Sequence, residues 1–307
     1  MKIILIAPKT TTHHRDYQVP LRFDYALWNF YFPLLSLGHK VHFFDTCLNG
    51  DKQLQDKIKK FKPDLLFCVL TGDLAAFPHE PWETIKSETN KGNVVTFNWF
   101  CDDGWRFDDF SSKVCHTFHV CSTPQPDMIS KYKDIGYENI IYGNWHSNSD
   151  LYSNLHCHRF YNFSFVGNLH SDRKHMIELL QRKGLAVHSF SQLPFEDMLA
   201  VYSRSQVSLS FTKNIKMGNQ MQARLFEIPA SATLLLTEYT PGIEELYEID
   251  KEMVIFKDPE ELYAKAKFLM ENIKIGESIA LAGHQRFLKE HDSRVRLKKV
   301  LREIKKK

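Results

Sequence analysis

Short apolar runs alternate with amphipathic stretches along nearly the whole chain. Apolar runs of strand length rich in branched and aromatic residues predict buried strands at 2–6, 40–44, 64–69, 94–97, 117–121 and 139–142. Between them, residues 23–36, 53–61, 80–88 and 125–132 carry the wider apolar spacing of helices. A polar stretch, 143–158, then interrupts the pattern and reads as a linker. A second series follows, with strands at 162–166, 185–189, 207–211, 233–236 and 253–256, and helices at 173–182, 195–202, 220–228 and 259–271. Strand–helix alternation of this kind predicts parallel sheets covered by helices on both faces. The expected division is a first α/β domain over 1–150, a second over 159–274, and two closing helices over 275–307 broken at Asp292-Ser293.

Composition fits that size. The 307 residues suffice for two domains with substantial cores, and 43% hydrophobic with 25% charged residues is ordinary for a globular protein. Forty basic against 37 acidic residues leave a net charge of +3, so global charge does not select a polyanionic partner. The six cysteines, Cys47, Cys68, Cys101, Cys115, Cys121 and Cys157, all fall within the first 157 residues and read as reduced core thiols. The first apolar run is too short for a signal peptide and no run approaches a membrane span, so a cytoplasmic location is expected.

The densest chemistry lies between Lys213 and Phe256. Arg224 and Glu227, three residues apart, put a cation and a carboxylate on one face of a short helix that Pro229 is expected to close. The run Leu234-Leu235-Leu236 ends in the polar loop Thr237 to Gly242, at a strand's carboxyl end, where open α/β sheets bind ligands. Arg173, beyond the Gly167-Asn168 loop, and Lys213, beyond Phe211, also follow strands. Guanidinium, ammonium and carboxylate groups gathered at such an edge suit a ligand with both hydroxyls and phosphates. Gly218-Asn219 is expected to cap the helix carrying Arg224, with its N-terminus toward the phosphates.

The order R-x-F-E (Arg224–Glu227), small residues, buried strand, P-G (Pro241-Gly242), E-L-Y and V-x-F-x-D-P-E-E-L resembles the CgeB-like branch of the glycosyltransferases. The likeness extends forward to Phe165-Val166-Gly167-Asn168 and Arg173, more weakly to Trp99–Gly104, and back through Ile279–Arg286, His291, Arg294 and Arg296. It implies the GT-B architecture, two Rossmann-like domains facing each other across a cleft. It also implies transfer of a sugar from a nucleotide-diphosphate donor, with UDP- or GDP-sugar as co-substrate and no prosthetic group. On this resemblance Glu227 binds the ribose hydroxyls; Arg173, Lys213 and Arg224 are the cationic candidates for the diphosphate, with Gly167 and Asn219 beside them at the donor nucleotide. Many relatives carry a second glutamate eight residues before the ribose-binding one; here that position is Asn219, which leaves a non-catalytic sugar-nucleotide-binding protein as the alternative.

In the first domain, Asp102 and Asp103 follow a predicted strand and are candidates for a catalytic base or for binding sugar hydroxyls, against the alternative of a turn pair. His13, with His14, follows the first strand and is a third candidate. Cys115, His116, His119 and Cys121 lack the usual zinc spacing, and no Asp-x-Asp element stands in the second half, so no metal site is expected. The closing segment ends R-V-R-L-K-K-V-L-R-E-I-K-K-K. Its basic face is expected either to be solvated or to attract an anionic acceptor (an anionic glycan, a lipid-linked phosphate or nucleic acid) or a membrane surface.

Overall fold

The computed structural model describes residues 1–9, 25–73, 77–152, 158–214 and 218–307. The chain forms two compact units, Met1–Asn144 with Ser293–Lys307, and Trp145–Asp292.

Unit 1 holds six parallel strands, β1 (Lys2–Ala7), β2 (Lys40–Asp45), β3 (Leu65–Cys68), β4 (Val95–Trp99), β5 (Val120–Thr123) and β6 (Ile140–Tyr142), in the order β2-β1-β3-β4-β5-β6. Every residue of β3 is buried, which requires cover on both faces. Leu66 and Cys68, with Ile4 and Ile6, cluster with Leu54 and Ile85 of helices Asp51–Phe61 and Trp82–Lys91. On the other face Phe67 packs against Phe97 and Phe30, and Phe30 against Trp99. The closing helix, Ser293–Ile304, packs beside the helix Phe32–Ser36 and against β6. It buries Leu297, Val300, Leu301 and Ile304, worth roughly 6 kcal/mol or more against an extended chain.

Unit 2 has five parallel strands, β7 (Tyr161–Val166), β8 (Val187–Phe190), β9 (Ser205–Ser210), β12 (Leu234–Glu238) and β13 (Val254–Phe256), ordered β13-β12-β9-β7-β8. Between β9 and β12 the chain makes a small antiparallel pair, β10 (Lys213–Asn214) with β11 (Gly218–Asn219). Phe163, Phe165, Leu209, Leu236 and Phe256 fill one face of the sheet, and Val166, Leu235 and Ile255 join Tyr202, Leu225 and Phe226 on the other. The helix Pro259–Glu271 starts with Pro at its first turn and with Asp258 accepting a hydrogen bond from the Glu261 amide at 2.8 Å.

Both sheets therefore share one winding. The second strand lies outside the first, and the third returns to the first strand's other side, so the strand order reverses at β1/β3 and at β7/β9. The carboxyl ends beside such a reversal form a ligand crevice in open α/β sheets.

Several local expectations change. The helix carrying Arg224 spans Arg224–Ala230, so Pro229 lies inside it and does not close it. Its N-cap is Ala223, so Gly218-Asn219, which belong to β11, do not cap it. Residues 103–117 form successive helical turns, and β5 starts at Val120 because Cys115–Thr117 makes a 3₁₀ turn. The helix Ile273–Arg286 belongs to unit 2, where it packs on β12 and the Arg224–Ala230 helix. Among the described residues no helix is long and apolar enough to cross a membrane.

Candidate functional site

The carboxyl edge at β7/β9 gathers the charged residues of unit 2. β7 ends at Val166, and Gly167 follows with φ +148°, a conformation that side-chain-bearing residues avoid. A Cβ there would stand 2.7 Å from Arg224 Nη1, so the missing side chain makes room for the guanidinium. Arg224 Nη1 donates to the Val166 carbonyl at 3.1 Å, its Nη2 donates to Gln222, and its guanidinium carbon lies 5.5 Å from the Phe165 ring centroid. Among the described residues the buried Arg224 Nε has no hydrogen-bond partner.

Arg173 spans the reversal itself. From the helix Ser171–Arg182 its Nη1 donates to the Asn168 carbonyl beyond β7 at 3.3 Å, and its Nη2 to the Phe211 carbonyl beyond β9 at 3.4 Å. It is only 8% exposed. Burial, then the positive charge of Arg224, lowers its pKa to about 10, against a smaller opposing pull from Glu238. Two guanidiniums held close enough to repel each other create a strong local preference for an anion.

Glu227, one turn beyond Arg224, is 6% exposed. Among the described residues its carboxylate has no hydrogen bond or ion pair, not even to Arg224. Burial raises its pKa to about 7, and Arg224 pulls the other way. Beside it, the buried Tyr202 hydroxyl of the helix Phe195–Ser203 also lacks a hydrogen-bond partner among the described residues, and its pKa is raised by burial and then by the Glu227 charge. An unsatisfied buried carboxylate is costly unless something supplies donors to it. Tyr202 carried no sequence signal beyond its helix's apolar face.

Lys213 and Asn219 are register partners in the β10/β11 pair, directly beyond Phe211 and Thr212. The backbone thus brings Lys213, Asn219, Gly167, Arg173 and Arg224 to one edge. A cavity of 490 Å³ lies at the opposite, amino edge of this sheet, lined by Val207, Ala232, Leu269 and Leu281. Arg159 lines it but donates to the carbonyls of Ser203, Ser205 and Ala232, joining chain segments there.

The unit 1 candidates separate. Asp103 is 1% exposed; its Oδ1 accepts from Ser111 Oγ and its Oδ2 from Tyr132 OH at 2.9 Å. Burial raises its pKa while these hydroxyls lower it. With both oxygens occupied, Asp103 is a core anchor for residues 103–132 and not a base facing a ligand. Asp102, half-buried, stays at the carboxyl edge of β4. His13 and His14 lie outside the described residues. A buried carboxylate that sequence reasoning missed, Glu80, takes hydrogen bonds from the Thr71 and Gly72 amides at 2.7 and 2.8 Å and from Trp82 Nε1 at 3.1 Å. A single acid between His79 and Pro81 gives no hint of those backbone donors.

The basic tail occupies the other edge of this sheet. Lys307 Nζ donates to the carbonyl of Glu138, just before β6, and Lys305 influences His39, just before β2. Within unit 1 the tail therefore stands at the amino edge of the sheet, at the other end of the strands from Asp102. His119 Nδ1 accepts from the Thr96 amide at 3.1 Å, and the His116 ring packs on Tyr137. Among the described residues no group of three or more His, Cys, Asp or Glu side chains could hold a metal.

At this edge of unit 2 a carboxylate and two guanidiniums stand where open α/β sheets bind ligands. The sequence family described as Glycosyl transferase-like matches residues 136–302, more than half of the chain, and the protein belongs to that family. No curated protein matches it in sequence. Among solved structures it is similar to Anabaena Alr3699/HepE in complex with UDP-glucose, with TM-score 0.64, 10% identity and 100% of both chains covered. An α-glucosyltransferase in complex with UDP and a 13-mer DNA containing a HMU base gives TM-score 0.64 and 12% identity over 99% of each chain. A glycosyltransferase from Rickettsia africae ESF-5 gives 0.63 and 10%, over 99% of this chain and 98% of that one. The fold is thus that of GT-B glycosyltransferases, with two parallel-sheet α/β units of Rossmann type.

Proposed function

We propose that the protein transfers a sugar from a UDP- or GDP-sugar to an acceptor hydroxyl, and that it belongs to the CgeB-like branch of its family. Unit 2 takes the donor. Glu227 accepts hydrogen bonds from the ribose hydroxyls, while Arg173, Arg224 and Lys213 face the diphosphate. Unit 1 takes the acceptor, with Asp102 the remaining acidic candidate for its hydroxyl proton. The acceptor oxygen bonds to the anomeric carbon as the bond from that carbon to the diphosphate oxygen breaks. The leaving charge falls among the guanidiniums, which stabilise it as it develops.

One observation carries the reading: at the strand-order reversal of unit 2 the buried Glu227, with no hydrogen bond or ion pair among the described residues, stands one helical turn from Arg224, whose guanidinium in turn repels that of Arg173. Each lacks what a nucleoside diphosphate offers, hydroxyl donors for the carboxylate and anionic oxygens for the cations. Similar folds solved with UDP and UDP-glucose support the choice of donor class.

The test is a thermal-shift and calorimetric panel of UDP, GDP, ADP and CMP. Stabilisation by UDP or GDP, reduced in Arg173→Leu, is expected. No response to any nucleotide at millimolar concentration rejects the donor site. Binding of a UDP- or GDP-sugar without nucleotide release, across a broad acceptor panel, favours a non-catalytic binding protein, the reading that Asn219 raises.

A further inference from the structure

We propose that Trp105 and Arg106 form an acceptor subsite in unit 1 that takes a saccharide bearing a carboxylate or phosphate. The proposal rests on unit 1 being the acceptor-binding part. The two residues end the short helix Asp103–Arg106, which follows β4 at the carboxyl edge of the sheet. Ligands of open α/β sheets bind at that edge.

Trp105 is 41% exposed, whereas the other tryptophans are buried or half-buried. An indole turned to solvent at a ligand edge offers a flat apolar surface whose electron-rich face attracts the C–H edges of a pyranose ring. Arg106 lies against it, with its guanidinium carbon 5.6 Å from the Trp105 ring centroid and 4.4 Å from that of Phe110.

The guanidinium is also held in place. Its Nη2 donates to the Thr71 carbonyl, and Glu80 fixes the Thr71 and Gly72 amides. Gly72 has φ +67°, and a Cβ there would come within 2.1 Å of the Phe110 ring, so the loop closes tightly on the ring that carries the cation. A guanidinium has five N–H donors, and among the described residues Arg106 has no ion pair with any acidic side chain. A pre-set, unpaired fork beside an aromatic platform matches a sugar ring with an anionic substituent.

The test uses the full chain and two probe pairs in calorimetry: hyaluronan tetrasaccharide against chitotetraose for a carboxylate, and mannose phosphate against mannose for a phosphate. The expected result is a preference of about 10-fold or more for the anionic member of at least one pair. Which pair shows it names the anionic group. Arg106→Gln is expected to erase the preference, and Trp105→Ala to weaken both members of that pair by about 5-fold or more. The thermal shift with UDP or GDP should persist in both variants, which shows that they are folded. Equal binding of the members in both pairs, no binding of any probe, or a preference that survives Arg106→Gln overturns the subsite. Loss of the nucleotide response in the unaltered protein instead rejects the donor reading, a separate outcome.

Discussion

At the carboxyl edge of the second sheet a buried carboxylate, Glu227, has no donor among the described residues, and two guanidiniums, Arg173 and Arg224, stand close enough to repel each other. At the same edge of the first sheet, Glu80 and Asp103 are equally buried, yet each is surrounded by donors: amides and an indole for Glu80, hydroxyls for Asp103. The topology is shared, so winding alone does not decide which edge holds a nucleotide. Hydrogen-bond satisfaction separates the two cases. A buried acid with its donors in place anchors the backbone, while one without them is poised for a ligand that brings its own.

The strongest way to break this contrast is Glu227→Gln. If Glu227 accepts the two ribose hydroxyls as proposed, its removal should weaken UDP or GDP binding by about 100-fold. The same substitution should stabilise the free protein at neutral and higher pH. The folded-state pKa of Glu227, about 7, lies above the ordinary 4.5, so the folded protein holds this proton more tightly than the unfolded chain does. Stability from the protonated form is complete below the ordinary value and is lost as pH rises toward and through 7. The difference amounts to about 3 kcal/mol above pH 7, an order-of-magnitude figure. Denaturant midpoints of both proteins between pH 5 and 8 measure it. Should the variant prove less stable at pH 8, or bind nucleotide as before, Glu227 is an anchor like Glu80.

A smaller effect sharpens the other side. Asp103→Ala removes the acceptor for Ser111 and Tyr132 and leaves buried hydroxyls unpaired, so it should destabilise unit 1 by about 2–3 kcal/mol. Nucleotide affinity should stay the same, because the donor residues sit in unit 2. An unchanged midpoint, with turnover abolished, would restore Asp103 as a catalytic candidate.

Much of this was legible beforehand, for identifiable reasons. Strands such as β1 and β12 are continuous apolar runs, and nothing but a doubly covered sheet buries them. Arg173 could be put beyond β7 because it follows a recognisable strand and loop, and Arg224 on a helix because it stands three residues before Glu227. The helix carrying Arg224 was drawn four residues early, at Gln220, because the β10/β11 pairing depends on two short segments meeting and leaves no periodic trace. Asp102-Asp103 looked like one acidic pair, but the helix opening at Asp103 turns that side chain into the core and leaves Asp102 at the edge. Glu80 was invisible because two of its donors are backbone amides, which leave no trace in the sequence.

The smallest expected effect concerns the basic tail, and it tests whether edge position governs function in unit 1. Lys306 pairs with Glu303 at 2.6 Å, and Lys307 donates to the Glu138 carbonyl at 3.1 Å. Both Glu138 and His39 precede strands, so the tail stands at the sheet's amino edge. A strand advances about 3.3 Å per residue, so the six residues of β1 separate the two edges by roughly 20 Å. Charge–charge effects fade over about 8 Å at physiological salt. Deleting Lys305–Lys307 should therefore leave both nucleotide and anionic-saccharide affinities within about 2-fold at that salt. The change should appear locally instead. Lys305 is among the causes that hold the His39 pKa down, after burial and the N-terminal amine, so deletion should move the His39 titration upward in NMR. A fall in saccharide affinity well beyond that range, with His39 unmoved, would mean that the tail reaches the ligand and that the amino edge of unit 1 takes part in binding.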